Sequence, residues 1–471
     1  MSNEPAPKLP PCFKSYDIRG RVPEQLDPEL AGRIGRAFAQ YLQPRRVVVG
    51  SDIRLSSPAL AAAVCQALRR EGVAVLNLGL CGTEEVYFAT AHTGADGGIM
   101  ITASHNPADY NGMKLVGRQA RPIAGDSGLV EIGQLAAAYR EQADDHGTAP
   151  TSAEEVGGCR HVCKPAAVRA SYIQHLLGYV EPENLKPLTI VANAGNGGAG
   201  AVVDALAGWL PFNFIRLQWE PDGRFPHGVP NPLLPENRAV TAEAVRNHNA
   251  DLGLAWDGDF DRCFFFDQRG NFIEGYYLVG LLAAAILARQ PGARIIHDPR
   301  LVWNTRQIVE QAGGIAVAAP TGHALIKARM RAEDAVYGGE MSAHHYFRDF
   351  FYCDSGMIPW LLVTRLLSES DRSLGELVAA RQRAFPVSGE INRRVADPAA
   401  AIARVRTWCG DHAGTFEQLD GLSFEAAEFR LNLRTSNTEP LLRLNVETRG
   451  DRALLARITD QLLQQIEQAE T

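Results

Sequence analysis

The segment that decides the fold is DLGLAWDGDFDR, residues 251–262, in which a short apolar strand runs directly into a loop rich in aspartate. Two other segments are built in the same way, GGIMITASHNP at 97–107 and DAVYGGEMSAHH at 334–345. Each of the three is preceded by an earlier apolar strand that also ends in a polar loop. These opening strands lie at 46–51, 188–192 and 293–297.

The sequence between the two strands of each unit is largely helical in pattern. Residues 57–70 place six small or apolar side chains on one face of a helix: Ala59, Leu60, Ala63, Val64, Ala67 and Leu68. Apolar strands that alternate with helices are typical of α/β layers whose strands are mainly parallel. We therefore predict three similar α/β domains with mixed or parallel sheets, over residues 1–160, 161–270 and 271–385.

The remaining sequence has a different pattern. Strand-like runs occupy residues 424–434 and 440–448. An amphipathic helix follows, with apolar residues spaced by three or four positions: Leu455, Ile458, Leu462 and Ile466. This combination predicts a smaller α+β domain, residues 386–471, in which helices pack on an antiparallel sheet.

Length and composition exclude several classes of protein. The chain has 471 residues, of which 46% are hydrophobic, so a disordered chain is excluded. The net charge of −7 gives no general attraction for nucleic acid or for an anionic membrane. The longest apolar run, residues 276–288, is too short to span a bilayer, and the N-terminus lacks the pattern of a secretory signal. We expect a cytoplasmic protein without nucleic-acid or membrane partners, and its oligomeric state cannot be read from the sequence.

The first candidate site is the loop 102–107. In open α/β sheets, ligands bind beyond the carboxyl ends of the strands, which is where the loops that close the three units lie. Ser104 follows an apolar strand and precedes His105, an arrangement that suits an exposed nucleophile. The alternative is a plain turn that uses Ser, Asn and Pro for their backbone preferences.

The second candidate site is the loop 257–262. Asp257, Asp259 and Asp261 would repel one another strongly unless a cation joins them. Oxygen ligands favour Mg²⁺ or Ca²⁺, and the spacing of the loop excludes an EF-hand. The loop therefore predicts a magnesium site that shares its ion with a phosphate oxygen, and the alternative is a solvated acidic turn.

Two further loops offer groups that suit a phosphorylated sugar. The loop 338–345 carries Glu340, Ser342 and His344, whose donors and acceptors match neighbouring hydroxyls. The loop 434–440 joins an arginine, hydroxyls and turn amides, with Arg443 nearby, which suits a monophosphate. Taken alone, each is also explained as a polar loop or turn.

A glycine run at 195–200 supports a different function. It follows a strand and satisfies the pattern G-x-G-x-x-G, with Glu220 about 20 residues beyond, as in dinucleotide-binding domains. The other two units lack this run, and a dinucleotide site leaves the four polar loops unexplained. An NAD-dependent oxidoreductase is therefore kept as a remote alternative.

The four loops together resemble a known family, the α-D-phosphohexomutases. The motifs TASHNP, DGDFDR, GEMSAHH and RTSNTEP occur in the order and spacing of that family, and YDIRG at 16–20 extends the resemblance over essentially the whole chain. The loop Glu340-Met341-Ser342 looks like the phosphomannomutase/phosphoglucomutase branch, and the segments CGTEE at 81–85 and HHYFR at 344–348 look most like bacterial members of that branch that act on mannose phosphates. The resemblance implies four domains around a central cleft and interconversion of mannose 1-phosphate and mannose 6-phosphate for GDP-mannose synthesis. Glucose phosphates are the rival substrates.

The same resemblance implies a reaction in two phosphoryl transfers. Ser104 would be a phosphoserine in the active enzyme, and its phosphate would share Mg²⁺ with Asp257, Asp259 and Asp261. The phosphoryl group would pass to a free hydroxyl of a hexose monophosphate and form a hexose 1,6-bisphosphate, which also serves as activator. That intermediate would turn over within the cleft and return its other phosphate to Ser104.

The resemblance also implies roles for other residues. The basic active-site side chains would be Arg19, Lys114 and Arg262. The sugar would be held by His323, Glu340 and Ser342. The distal phosphate would be bound by Arg434, Ser436, Asn437, Thr438 and Arg443. The proton-transfer group could be His105, Lys114 or His344, among which the sequence does not choose.

Two positions depart from the pattern of the family. Phe260 stands where many members have glycine, and its bulk could narrow access to the metal loop. The same residue occurs in relatives of the phosphomannomutase branch, so we do not interpret it as inactivating. The segment Asp298-Pro299-Arg300 stands where other members of the branch place a lysine-bearing segment, which leaves the sugar contacts there open.

Overall fold

The computed structural model describes residues 8–139, 164–435 and 441–467 of the chain. Within these residues, strands form four sheets of five strands each, and α-helices pack against the sheets. The first three sheets mix parallel and antiparallel pairs, whereas every pair in the fourth is antiparallel. The predicted fold class, three similar α/β domains followed by a smaller α+β domain, is confirmed.

The first domain contains the first of the three repeated units. Its strands are β1 (Ile18–Arg21), β2 (Arg46–Ser51), β3 (Ala74–Leu80), β4 (Gly97–Ile101) and β5 (Tyr110–Gly117). Its helices are α1 (Pro28–Leu42), α2 (Ser57–Arg70), α3 (Thr83–His92) and α4 (Leu129–Ala138). The strand order is β1-β5-β4-β2-β3, and the opening strand β2 pairs in parallel with the closing strand β4. The helix predicted at 57–70 is α2.

The second domain repeats this arrangement. Its strands are β6 (Thr189–Asn193), β7 (Asn213–Leu217), β8 (Leu252–Trp256), β9 (Cys263–Phe266) and β10 (Phe272–Ile273). Its helices are α5 (Pro165–Leu177), α6 (Ala199–Ala207) and α7 (Ala239–Asn247). The order is β10-β9-β8-β6-β7, and β6 pairs in parallel with β8, as β2 does with β4.

The third domain contains the last copy of the unit. Its strands are β11 (Arg294–His297), β12 (Ile315–Ala318), β13 (Tyr337–Gly339), β14 (His345–Phe347) and β15 (Cys353–Asp354). Its helices are α8 (Gly275–Leu287), α9 (Trp303–Gln311), α10 (His323–Glu333), α11 (Ile358–Glu369) and α12 (Leu374–Ala384). The opening strand β11 pairs in parallel with β13. Because the three units pair alike, their closing loops follow equivalent strands.

The fourth domain has an antiparallel sheet and two helices. Its strands are β16 (Ile391–Arg394), β17 (Gly414–Glu417), β18 (Leu422–Ala426), β19 (Phe429–Thr435) and β20 (Leu441–Thr448), and its helices are α13 (Pro398–Gly410) and α14 (Arg452–Glu467). The single run predicted at 424–434 is wrong, because it contains a reversal between β18 and β19. In α14 the buried residue is Leu454 and not Leu455, which is only partly buried.

Buried apolar residues tie the first three domains together. One hydrophobic cluster includes Tyr87 of α3, Trp256 of β8 and Trp360 of α11, one from each domain. The apolar run at 276–288 forms most of α8, which is buried within this cluster and not at a surface. None of the described helices combines the length and apolarity that crossing a membrane requires. The domain boundaries near 270 and 385 stay predictions, and the one near 160 lies outside the described residues.

Candidate active site

Ser104 lies in a tight loop just beyond the carboxyl end of β4. Its φ of 48° is in the left-handed region, which a residue with a Cβ adopts only when its surroundings hold it there. The guanidinium of Arg54 holds this loop, because its two Nη atoms donate to four carbonyl oxygens at 2.6–2.9 Å. These oxygens belong to Ser104, Asn106, Pro107 and Tyr110.

Arg54 was not predicted as a site residue, although a repeated pattern in the sequence could have indicated it. Asp52-Ile53-Arg54 and Asp298-Pro299-Arg300 each follow the opening strand of a unit. In both, the aspartate accepts a hydrogen bond from the backbone N–H of the arginine, at 3.0 and 2.9 Å. A D-x-R turn at the same place in two units is the signal that points to both arginines.

The aspartate loop meets the serine loop where the first two domains touch. Ser104 Oγ donates a hydrogen bond to Asp257 Oδ2 at 2.9 Å. Asp257, Asp259 and Asp261 are almost fully buried, and a carboxylate oxygen from each lies within 4.8 Å of the others. The structure therefore brings together the four residues that were predicted as metal ligands.

Two cations neutralise part of this negative charge. Lys114 Nζ lies 2.9 Å from Asp259 Oδ2 and 2.5 Å from Asp261 Oδ2, and Arg262 Nη2 lies 2.7 Å from Asp257 Oδ2. Although burial alone would lower the pKa of Lys114, the two carboxylates raise it. Burial and the charge of Asp259 raise the pKa of Asp261, whereas the contact with Lys114 overcomes burial and lowers that of Asp259.

The three aspartates fit a divalent metal ion. Asp259 Oδ1 and Asp261 Oδ1 are buried, and among the described residues neither has a hydrogen-bond partner. A buried carboxylate oxygen without a partner is costly, and a bound cation would remove that cost. The donors are all hard oxygens, which suits Mg²⁺.

The backbone around Thr83, at the start of α3, fixes the aspartate loop in place. Thr83 Oγ1 donates to Asp259 Oδ2 at 2.6 Å, and the backbone N–H of Thr83 donates to the carbonyl of Asp259 at 3.1 Å. Phe260, with a φ of 45°, turns its buried ring away towards Gly82 and Gly198. A Cβ at Gly82 would lie only 2.1 Å from that ring. The ring therefore fills a gap between the first two domains, in keeping with the interpretation that Phe260 does not inactivate the site.

His105 and Arg19 lie beside the serine. His105 Nδ1 is 3.1 Å from Ser104 Oγ and 2.6 Å from Arg262 Nη2. A guanidinium can only donate, so Nδ1 is the acceptor and the proton of a neutral ring is on Nε2. Desolvation by the surrounding domains, together with the charges of Arg262 and Arg19, lowers the pKa of His105 well below its ordinary value, although the residue remains exposed to solvent. Arg19 Nη1 donates to Asn106 Oδ1 at 2.7 Å.

The third loop contributes Glu340 and Ser342. Glu340 is buried, and its carboxylate accepts from Tyr346 Oη at 2.6 Å and from the backbone N–H of Gly322 at 3.2 Å. Ser342 Oγ lies 3.5 Å from Arg300 Nη2. His323 begins α10, and neither of its ring nitrogens has a hydrogen-bond partner among the described residues.

His344 links the third loop to the aspartates. Its Nδ1 is 3.0 Å from Asp354 Oδ2 and 4.0 Å from Asp261 Oδ1. Asp354 in turn lies 2.6 Å from Lys327 Nζ, which is completely buried and faces the ring of Tyr87 at 3.9 Å. Asp354 and Lys327 were not predicted, because neither belongs to a recognisable motif.

The structure describes only part of the predicted phosphate-binding site, the loop 434–440 with Arg443, which we call the phosphate cradle. Arg434 and Arg443 lie on the paired strands β19 and β20 and are direct partners across the sheet. Both contact Glu390, as does Arg300 of the third domain, so Arg300 lies at this cradle. Ser436, Asn437 and Thr438 lie outside the described residues.

The glycine run at 195–200 has a packing explanation. A Cβ at Gly197 would lie 3.0 Å from the carbonyl oxygen of Gly258, and one at Gly198 would lie 2.9 Å from the ring of Phe260. The aspartate loop therefore covers the start of α6, where a dinucleotide would place its pyrophosphate. The glycines permit this close approach between backbones.

Comparison with known proteins agrees with this geometry. Family models of the phosphoglucomutase/phosphomannomutase α/β/α domains I, II and III match residues 11–142, 170–270 and 274–385, and the model of the C-terminal domain matches residues 390–465. A crystal structure of a phosphoglucomutase/phosphomannomutase family protein from Burkholderia thailandensis superposes with a TM-score of 0.82 at 31% identity, over 98% of both chains.

Two relatives are more similar in sequence. A protein of Xanthomonas campestris pv. campestris named "Phosphohexose mutases" is 59% identical, and one of Salmonella typhimurium named "Phosphomannomutase" is 57% identical. Each match covers 96% of this chain and 98% of the relative. The resemblance inferred from the four motifs is thereby confirmed. The chain belongs to the phosphoglucomutase/phosphomannomutase family of phosphohexomutases.

Proposed function

We propose that the chain is a phosphomannomutase that interconverts mannose 1-phosphate and mannose 6-phosphate. The observation that carries this proposal is the contact of 2.9 Å between Ser104 Oγ and Asp257 Oδ2, at the edge of the three-aspartate cluster. A phosphoserine at this position would face the three carboxylates. The names of the relatives at 52–57% identity support mannose phosphates as the substrates.

Phospho-Ser104 would give its phosphoryl group to the free hydroxyl of a hexose monophosphate. The positive side chains of Arg19, Lys114 and Arg262 surround this position and would offset the charge that spreads over the phosphoryl oxygens during transfer. The resulting hexose 1,6-bisphosphate would turn over and return its other phosphate to Ser104. A trace of such a bisphosphate would keep the enzyme phosphorylated.

Asp257, Asp259 and Asp261 would hold Mg²⁺ together with an oxygen of the phosphoserine. The ion supplies positive charge that polarises the phosphoryl group for transfer. Lys114 would stay charged beside Asp259 and Asp261, because these carboxylates raise its pKa. Lys114 would therefore contribute charge to the transfer and leave proton movement to a histidine.

We assign proton movement to His344 or His105. The ring of His344 is oriented by Asp354 at 3.0 Å and remains one-fifth exposed. His105 is next to the reacting hydroxyl, and its Nδ1 already accepts from Arg262. Glu340, Ser342 and His323 would bind the sugar, while Arg434 and Arg443, with Ser436, Asn437 and Thr438, would bind its distal phosphate.

Phosphoglucomutase activity is the second candidate. Glu340 and Ser342 would contact the third and fourth hydroxyls, which mannose and glucose share, so the sites described here discriminate weakly at the second hydroxyl. A relative at 59% identity is named "Phosphohexose mutases", without a single sugar. Dual specificity is consistent with both observations. The resemblance to the family suggests two further parts of the proposal. The enzyme would act in the cytoplasm, and its product would be used for GDP-mannose synthesis.

A coupled assay tests the proposal. Mannose 1-phosphate is supplied with Mg²⁺ and a trace of glucose 1,6-bisphosphate, and formation of mannose 6-phosphate is followed; glucose 1-phosphate is the second substrate. Turnover that is lost in Ser104→Ala supports the phosphoserine mechanism, and the ratio of the two rates gives the preferred sugar. A folded protein that turns over neither sugar would contradict the proposal.

A further inference from the structure

Glu390 lies among three arginines that come from two domains. Its carboxylate is 3.2 Å from Arg434 Nη2, 3.4 Å from Arg443 Nη1 and 3.5 Å from Arg300 Nη1. Arg434 and Arg443 belong to the fourth domain and are the described part of the predicted phosphate cradle. Arg300 belongs to the third domain and is 5% exposed. One carboxylate therefore stands between the cationic groups that would bind a phosphate.

The backbone fixes Glu390 in this position. It immediately precedes β16, and β16 pairs with β20, the strand that carries Arg443. Just before it, the backbone N–H of Ser388 donates to the carbonyl of Val446 at 2.9 Å, which ties the approach to Glu390 to β20 as well. The backbone of Glu390 is thus held by the same sheet as the cradle, and this fixes its side chain beside the arginines.

The charges around Glu390 limit the attraction of the cradle for an anion. Three arginines contribute +3, but Arg300 is already paired with Asp298 at 2.8 Å and lies 3.7 Å from Glu340. Burial would raise the pKa of Glu390, but Arg300, Arg434 and Arg443 more than offset it and lower the pKa, so the side chain is ionised at neutral pH. The cluster of six groups then has a formal net charge of 0, against +1 without Glu390. A phosphate monoester carries about −2 at neutral pH, so Glu390 leaves it incompletely neutralised.

We propose that Glu390 is an internal counter-ion that competes with the distal phosphate of the substrate for Arg300, Arg434 and Arg443. This inference rests on the proposed mutase function and adds a regulation of affinity to it. One phosphate of the bisphosphate intermediate must leave the cradle before the phosphate at the other end of the sugar can bind there. Because its own carboxylate stays in contact with the arginines, the cluster keeps a negative counter-charge when the phosphate is released. Glu390 therefore acts as a positioning residue that keeps binding weak enough for turnover.

The test compares Glu390→Gln, which keeps the shape and removes the charge, with the unchanged protein. Binding of mannose 6-phosphate is measured by calorimetry in a Ser104→Ala background, where no transfer can occur. Binding of inorganic phosphate is measured in the same way on the protein with Ser104 intact. The matched control is Glu181→Gln, which removes an exposed carboxylate of the second domain that pairs with Arg289 at 3.5 Å.

Glu390→Gln is expected to bind both ligands roughly fivefold more tightly, the range of one partly exposed ion pair. In the coupled assay it is expected to lower KM and kcat together, because the intermediate is held longer. Glu181→Gln is expected to change neither. Binding that is unchanged or weaker in Glu390→Gln would overturn the inference and leave Glu390 as a structural support for the arginines.

The experiment also distinguishes a variant that fails to fold from a failure of the proposed mutase function. If Glu390→Gln does not fold, as judged by its thermal melt, Glu390→Asp replaces it, since the shorter side chain withdraws the charge from the arginines. It is expected to tighten binding about twofold, and unchanged or weaker binding would again overturn the inference. If the protein turns over neither mannose nor glucose phosphates but Glu390→Gln still tightens inorganic phosphate, the counter-ion role stands and the proposed function fails.

Discussion

Arg54 Nη2 donates a hydrogen bond to the carbonyl oxygen of Ser104 at 2.9 Å, from a position 50 residues earlier in the chain. The same guanidinium binds three more carbonyl oxygens of the serine loop. The positive φ of Ser104 is thus maintained by one buried side chain of the neighbouring loop. The reactive hydroxyl depends on a residue that makes no direct contact with it.

Replacing Arg54 is expected to disorganise the serine loop. Arg54→Ala would leave four carbonyl oxygens without their donor and Asp52 buried without its partner at 3.3 Å, at a cost of about 3–5 kcal/mol in unfolding free energy. Arg54→Lys keeps the charge, but one ammonium group cannot serve four carbonyls arranged for a planar fork, so kcat should fall with a smaller loss of stability. Thermal melts and the coupled assay measure both effects.

A matched control is available in the same chain. Arg224 follows Asp222 in the same D-x-R turn, with its backbone N–H 2.9 Å from Asp222 Oδ1, but its side chain is 77% exposed. Arg224→Ala should leave both the melting temperature and kcat nearly unchanged. Equal effects of the two alanine variants would argue against a special role of Arg54 in the serine loop.

Gly82 is expected to be intolerant of any side chain because of Phe260. A Cβ at Gly82 would lie 2.1 Å from the phenyl ring, which is completely buried and follows Asp259 in the aspartate loop. Gly82→Ala must therefore displace the loop, and we expect a loss of about 1–3 kcal/mol in unfolding free energy and weaker Mg²⁺ binding. Denaturant melts and calorimetric titration with Mg²⁺ measure the two losses.

Two further variants make this test specific. Gly208 is the control, since a Cβ there would meet nothing within 4 Å, and Gly208→Ala should be neutral or slightly stabilising. Phe260→Ala in the Gly82→Ala background should recover part of the Mg²⁺ affinity by removing the clash. Mg²⁺ binding that is unaffected by Gly82→Ala would show that the aspartate loop does not need this packing.

The fold and the family could be predicted because both depend on local patterns. Apolar strands that end in Ser104, Asp257 and Glu340 are contiguous in the sequence, and each repeat supports the others. The contacts that organise the site are different in kind. The D-x-R pattern marks Arg54 as a candidate, but it does not tell which loop the side chain binds. Arg54 reaches the serine loop and Lys327 reaches Asp354 through the packing of separate segments.

The packing of Phe260 could not be predicted, for a related physical reason. In sequence, a bulky residue between Asp259 and Asp261 suggests crowding of the site. In the structure Phe260 has a positive φ, and its buried ring lies against Gly82 and Gly198. A backbone conformation and a glycine in another domain together decide the outcome, and neither can be inferred from the loop itself.

Removal of Lys114 is expected to strengthen metal binding while it impairs turnover. Lys114 Nζ lies within 2.9 Å of both Asp259 and Asp261, so it competes with a divalent cation for the same carboxylates. Lys114→Met keeps the apolar stem and removes that competitor. Calorimetric titration should give a Mg²⁺ affinity at least severalfold higher, whereas the coupled assay should show a large loss of kcat. A lower affinity for Mg²⁺ would mean that Lys114 helps to arrange the ligands instead of competing for them.

The last prediction concerns the pH dependence of stability and Glu84. Its carboxylate is completely buried between the first three domains, where it accepts from Ser355 Oγ at 2.9 Å, from the backbone N–H of Gly356 at 2.6 Å and from the hydroxyl of Tyr172. Burial outweighs these hydrogen bonds and raises the pKa of Glu84 from its ordinary value of 4.5 to about 8. The folded protein therefore keeps a proton that the unfolded chain releases near its ordinary value.

This difference in proton binding decides whether the free energy of unfolding rises or falls with pH. Below pH 4.5 both states are protonated, so Glu84 contributes no pH dependence. Between pH 4.5 and about 8 only the folded state holds the proton, so stability falls as pH rises, by up to about 1.4 kcal/mol per pH unit. Glu84→Gln cannot titrate, so its melting temperature should rise relative to that of the unchanged protein from pH 5 to pH 8, since all other groups cancel in the comparison. A difference that is constant over this range would mean that Glu84 is ionised in the folded protein and held by its hydrogen-bond donors.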